Sequence, residues 1–139
     1  MTKVEFDTVR CCVIGLGCER GTSVSELHEL ALTALAMARI DPRQLAGLAS
    51  INARNSEPAI CAVAAYFGVP SIFFDAQTLE RETPRIKTPS KIVFARIGCH
   101  GVAESAALAA SGPAAELILP KIKSAHATAA IARILLQKQ

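Results

Sequence analysis

Tryptophan is absent, tyrosine occurs once, and aromatic residues make up only 4% of the chain. A surface that stacks single-stranded bases needs repeated aromatic rings, so that class of binder has little support. Charge is nearly balanced as well. Fifteen basic against twelve acidic side chains leave +3 with histidine neutral, far from a nucleic-acid footprint. No apolar run approaches the ~18 residues of a membrane span. The opening, Met1–Asp7, lacks the apolar core of a signal peptide, and a cytoplasmic protein is expected.

The five cysteines, Cys11, Cys12, Cys18, Cys61 and Cys99, include no C-x-x-C pair. Neither a structural zinc site nor a dithiol redox motif is supported, and no metal or cofactor is expected. Most of these thiols read as small buried hydrophobes. Two phosphate-binding signatures are also missing. After Gly15 and Gly17 the sixth position of a G-x-G-x-x-G fingerprint is Arg20, and no Gly-Lys pair exists for a P-loop. Serine-elbow, metal-triad and paired-carboxylate spacings are absent too.

What the chain does have is 51% hydrophobic and 19% charged residues over 139 positions. That describes one globular domain, 1–139, able to bury about two-thirds of its unfolded surface without disulfides. Val13–Leu16 is a short apolar run bounded by glycine, which reads as a buried strand. Ser23 and Glu26, ahead of an apolar-periodic segment, predict a capped helix over 24–39. Leu27, Leu30, Ala31, Ala34, Leu35 and Ala38 give that helix one apolar face, with His28 on a neighbouring stripe.

Further along, Asp41-Pro42 predicts a short helix over 43–46, and Leu48–Asn52 a second strand. Pro58 opens a helix over 59–67 closed by Gly68, and Ser71–Phe74 is a third strand. Asp75 caps a short helix, and Pro84–Lys87 is a basic loop. Thr88-Pro89 predicts a helix ending near Gly98; another follows over 102–110. Glu116–Ile122 leans to strand, while the Ala-rich 126–136 is strand or helix by pattern alone. Strands alternating with helices predict an α/β fold, a largely parallel sheet covered on both faces with the last pair as an antiparallel edge.

Four places offer polar groups to a ligand. The first is the stretch Gly15, Gly17, Arg20, Gly21, Thr22 and Ser23, between strand and helix start. Helix N-termini attract anions, and Arg20 adds a charge; the bland alternative is tight packing with Arg20 solvated. The second is Asn52, Arg54 and Asn55 at a strand's carboxyl end, where open α/β sheets gather ligands. The third is Ser90 beside Lys91, with plain capping as its alternative. The fourth is Lys121, Lys123, Ser124 and His126 at a hairpin tip, which would equally serve as a solubilising edge. Small anions fit this balance better than catalysis does. Weak catalytic candidates are Glu104 and His126 as acid–base groups and Cys18 as a nucleophile, the last because glycine turns near helix starts favour thiolates. For Glu104, a favourable place in the first turn of a helix suffices as explanation.

The run Gly15-Leu16-Gly17-Cys18-Glu19-Arg20-Gly21-Thr22-Ser23 resembles the G-x-G-C-x-R-G-T-S start of the CobE family, which is similar to the C-terminal domain of CbiG. The likeness continues through Leu48-Ala49-Ser50-Ile51, Glu57-Pro58, Thr88-Pro89-Ser90, Gly101-Val102-Ala103-Glu104 and Pro120-Lys121-Ile122-Lys123-Ser124. The resemblance implies a role in cobalamin (vitamin B12) biosynthesis, on the aerobic branch that builds the corrin ring. It implies a three-layer α/β/α sandwich with a mostly parallel mixed sheet of about five strands, the last Ala-rich segment being a strand. It also implies a precorrin-type tetrapyrrole, fringed with acetate and propionate carboxylates, as ligand, and other cobalamin-biosynthesis enzymes as possible partners. CbiG opens a ring lactone and releases acetaldehyde; the chain lacks the additional N-terminal portion of CbiG, so that activity is not carried over. Asn52 stands where relatives often have Asp. A precorrin binder or carrier is therefore expected, with a hydrolase or isomerase of the same intermediates, or a docking subunit, as alternatives.

Overall fold

A computed structural model of the protein describes Phe6 and residues 9–134. The polar opening, apart from Phe6, and Leu135–Leu136 of the Ala-rich segment lie outside the described residues. Five strands form one open sheet in the order β3-β2-β1-β5-β4. They are β1 (Cys12–Cys18), β2 (Leu45–Ile51), β3 (Ser71–Phe74), β4 (Glu116–Lys123) and β5 (Ala127–Arg133). β1 pairs with β2 and β2 with β3 in parallel, while β5 runs antiparallel to both β1 and β4. Four strands thus point one way and β5 the other. The expected antiparallel edge is present: the last two strands extend the sheet beyond β1, with β5 beside β1 and β4 outermost.

Helices cover both faces, giving the three layers. α1 (Val24–Ala38) and α2 (Pro58–Phe67) lie on one side, where Leu27, Leu30 and Leu35 meet Ile14, Leu16, Leu48, Ile60 and Ile131. α3 (Ala76–Glu80), α4 (Lys91–Ile97) and α5 (Ala103–Ser111) follow on the other side or its rim, with Val13, Ala49, Leu79, Cys99 and Ala106 packed together. Each buried Leu or Ile contributes roughly 1.5–3 kcal/mol by removal from water. Among the described residues no helix is long and apolar enough to cross a membrane.

The β1 glycines have a different use from the one the sequence suggested. Gly15 and Gly17 lie inside β1 rather than in the turn after it. A Cβ on Gly15 would overlap the carbonyl oxygen of Ala103, and one on Gly17 would press on Thr128 and Val102. Their role is close approach: the backbone of α5 rests on β1 because nothing projects between them. The true turn is Glu19–Thr22, with Gly21 at φ +80°.

Several boundaries move for local reasons. Ser90, not Thr88, caps α4, its hydroxyl accepting from Val93 N–H at 3.2 Å. The Asp41 cap serves a single 3-10 turn, Pro42–Gln44, since Leu45 and Ala46 already belong to β2. Ser23 caps α1 as expected, but Glu26 does not complete a capping box. Its carboxylate turns instead to the β4–β5 hairpin.

Candidate functional site

The carboxyl ends of β1 and β2 and the start of β5 meet at one edge of the sheet, where Cys18 pairs with Ala127. The β1–α1 turn, the 3-10 turn Asn52–Arg54, the β4–β5 turn and the N-terminus of α5 gather there. Between them lies a cleft of about 290 Å³. Its apolar wall is Val93, Ile97 and Val102, with Gly17 at its base, and four cations stand around it: Arg54, Arg96, Lys121 and Lys123. α5 begins at this cleft with no side-chain cap, so its first N–H groups and its dipole add to the positive field.

Two of the cations are held by defined contacts. Arg54 donates Nε–H to the carbonyl of Cys18 at 2.8 Å, which fixes its side chain against the end of β1. Lys121 is held through its backbone. Glu104, only 2% exposed, accepts from Lys121 N–H at 2.8 Å with one carboxylate oxygen. The other oxygen accepts from Lys87 and Thr88 N–H, both at 3.0 Å. Both of its oxygens are thereby engaged, and Glu104 is seen as a clamp joining α5, β4 and the loop before α4. Arg96, which sequence reasoning missed, reaches the cleft from α4; a basic residue in the last turn of a short exposed helix carries no marker of which side it serves.

The remaining candidates divide. Gly17, Ser124 and His126 line the cleft, whereas Arg20, Gly21, Thr22 and Ser23 border a neighbouring hollow that shares only Glu19 and His126 with it. Gly15 lies under α5, away from both. Three N–H groups of the β1–α1 turn are already taken by the protein: Gly21 N–H donates to the buried Glu57 at 3.0 Å, Glu19 N–H to His126 carbonyl, and Thr22 N–H to Glu19 carbonyl. The chain's own Glu57 thus holds part of the place envisaged for an external anion. Asn52 accepts from Asn55 at 3.2 Å, and Ser90 is committed to its cap; neither lines the cleft.

Of the weak catalytic candidates, Cys18 is half-buried, and burial pushes its thiol up, against thiolate character. His126 is held on the rim. Its Nδ1 lies 2.9 Å from Glu26 Oε1 and its N–H donates to Glu26 Oε2 at 2.7 Å. The Ser124 hydroxyl donates to that same oxygen. These donors pull the Glu26 carboxyl down to about 2, and the carboxylate raises the imidazole. Among the described residues, no group of three or more His, Cys, Asp or Glu is placed to hold a metal ion.

The fold that carries this cleft has known relatives. Residues 12–132 match the family described as the cobalamin synthesis G C-terminus. The chain belongs to this family. It is 57% identical over 120 residues to Protein CobE of a Sinorhizobium species, covering 86% of this chain and 78% of that protein. It is 34% identical over 121 residues to the cobalt-precorrin-5A hydrolase of Priestia megaterium, 87% of this chain but only 32% of the hydrolase. Among solved structures, CobE from the cobalamin biosynthetic pathway superposes with TM-score 0.84 at 32% identity, covering 92% and 93% of the two chains. A putative cobalamin biosynthesis protein G homolog from Sulfolobus solfataricus gives 0.72 at 25%, covering 90% of this chain and 37% of that one. The expected family and its three-layer fold therefore hold, and the relatives are cobalamin-biosynthesis proteins. The chain spans about a third of the hydrolase it matches.

Proposed function

We propose that the protein binds a carboxylated precorrin-type tetrapyrrole at the carboxyl-edge cleft and passes it on within cobalamin biosynthesis. One observation carries the reading: Arg54, Arg96, Lys121 and Lys123 surround a single cleft whose wall is Val93, Ile97 and Val102. A tetrapyrrole has that complementary character, an apolar ring face with carboxylates at its edge. Arg54 and Arg96 can grip a carboxylate through two N–H groups, while the lysines act as point charges. Each charge-assisted hydrogen bond is worth ~1.5–3 kcal/mol. Three of them with partial burial of the ring reach ~−8 kcal/mol, a micromolar complex, after ordering costs. Arg20 stands one hollow away and takes a lesser part.

The test is an absorbance titration with a carboxylate-bearing tetrapyrrole, comparing the natural protein with Arg96→Ala. Arg96 is exposed and caps no element, so the change leaves folding alone. Saturable binding in the micromolar range, weakened about tenfold by Arg96→Ala and weakened by added salt, supports the reading. Absence of any spectral change up to high micromolar ligand refutes it. The pathway enzymes that would deliver or accept the ligand are a second part of the proposal, tested by co-purification.

A further inference from the structure

Resting on the tetrapyrrole reading, we infer that the cleft takes one edge of the ring, a single pyrrole with its neighbouring acetate and propionate. Lys121 and Lys123 read those two carboxylates as a pair.

Size comes first. The cleft measures about 290 Å³, at the small end of the ~300–1,000 Å³ that holds drug-sized ligands. A four-ring macrocycle with carboxylate arms around its whole rim is larger than that class, so the cleft cannot enclose it. One edge enters and the rest of the ring stays outside. The lining suits one flat heterocycle: Gly17 has no side chain at the base, and Val93, Ile97 and Val102 form the wall.

β4 supplies the recognition. Lys121 and Lys123 both line the cleft, while Ile122 between them packs on the opposite face, against the core under α1. Strand alternation thus puts the two lysines on one side of β4, about 7 Å apart along it. The acetate and propionate of one pyrrole stand on adjacent ring carbons. Their one- and two-methylene arms spread the carboxylates over a comparable distance. Both lysines are held at the backbone: Lys121 N–H donates to Glu104 at 2.8 Å, and Lys123 pairs with Thr128 of β5. Lys121 Nζ also donates to the Thr88 carbonyl at 3.5 Å, which sets the direction of its stem. Among the described residues neither ammonium is in a salt bridge. Glu19 lines the cleft as well, on the side shared with the neighbouring hollow, and repels a carboxylate there. The favourable place for two carboxylates is therefore along β4. Arg54 and Arg96 stand on other elements and are left for carboxylates elsewhere on the rim of the ring.

The experiment displaces a metal-free, carboxylate-bearing porphyrin, followed by absorbance, with two monopyrroles. One carries adjacent acetate and propionate arms; the other has a methyl in place of the acetate. The natural protein should bind the first with a Kd of about 1 mM. It should bind the second about tenfold more weakly, the scale of one charge-assisted hydrogen bond. Lys121→Met and Lys123→Met should each bring the two monopyrroles within about twofold of one another. Lys121→Met keeps the backbone N–H for Glu104, and Lys123 is exposed, so neither change disturbs folding. Equal displacement by the two monopyrroles, or none by either at about 10 mM, overturns the inference and leaves tetrapyrrole binding standing. A preference that survives in either lysine variant overturns the pairing of the lysines with the two carboxylates. A porphyrin that does not bind at all overturns both readings.

Discussion

Adding a single methyl group at Gly15 is expected to lower stability sharply and to damage the cleft from behind. A Cβ at Gly15 would overlap the Ala103 carbonyl oxygen and stand 2.9 Å from both Ala103 C and Ala107 N. Those are backbone atoms of α5, so no rotamer change relieves the contact, and the helix must lift from β1. α5 also carries buried Ala106, Ala107 and Leu108, whose packing loosens with it. Overpacking of a tight core costs typically 1–3 kcal/mol, and a rigid backbone contact belongs at the top of that range. For a domain of this size ~3 kcal/mol lowers the melting temperature by roughly 10 °C. Gly21→Ala is the control. Gly21 has φ +80° but no atom within 4 Å of an added Cβ, so only left-handed strain of ~1–2 kcal/mol applies. Thermal melts followed by circular dichroism, beside ligand titration, should show Gly15→Ala losing both stability and affinity, and Gly21→Ala losing a few degrees with affinity kept. A Gly15→Ala protein that melts within about two degrees of the natural one refutes the close-approach argument.

Three further outcomes follow from the buried carboxylate, the Glu26–His126 pair and the thiols. Glu104→Gln turns one acceptor oxygen into a donor facing backbone N–H groups, so calorimetry should show a loss of ~1–3 kcal/mol; an unchanged melt would deny the clamp. Glu26 is pulled down from the ordinary 4.5 to about 2, chiefly by Ser124 and then by His126, so its contribution is present above pH 4.5 and lost as pH falls through about 2. His126 is raised from 6.5, so its contribution is full below that pH and fades as pH rises past its folded value. The stability gap between natural protein and Glu26→Gln should accordingly be widest between these limits; a gap independent of pH would contradict the pairing. Among the thiols, Cys61 is exposed, whereas Cys12 and Cys99 are buried, with burial pushing Cys12 up to about 11 and raising Cys99. Alkylation of the folded protein read by mass spectrometry should label Cys61 well before Cys12 or Cys99, and early labelling of Cys12 would contradict its burial.

Much of the architecture was legible because local signals and packing agree. Ser23, Pro58, Gly68 and Asp75 each mark element ends where the fold has them. β5 was ambiguous for a physical reason. Ala127, Ala129, Ala130 and Ala132 are fully or nearly buried, because helices press on β5 from both faces and leave room only for small side chains. Small residues carry little strand preference. The β1 glycines were misread as turn residues, since sequence cannot separate a glycine needed for positive φ from one needed for close approach. The site was half legible: residues flanking strand ends were found, and Arg96 was not. The carboxylates Glu26, Glu57 and Glu104 find partners 16 to 100 positions away, and no local pattern encodes such contacts.

A ligand seated in the carboxyl-edge cleft perturbs the amides that border it, and amide chemical-shift mapping reads this most directly. Isotope-labelled protein titrated with a carboxylate-bearing tetrapyrrole should show its largest shifts at Gly17, Arg54, Arg96, Val102, Lys121 and Ala125–Thr128, all of which border the cleft. Amides around Pro42, Arg43 and Gly68, which border a hollow elsewhere on the surface, should stay in place. Shifts concentrated at those positions, or on the exposed Tyr66 face of α2, with the cleft amides unmoved, would contradict the account.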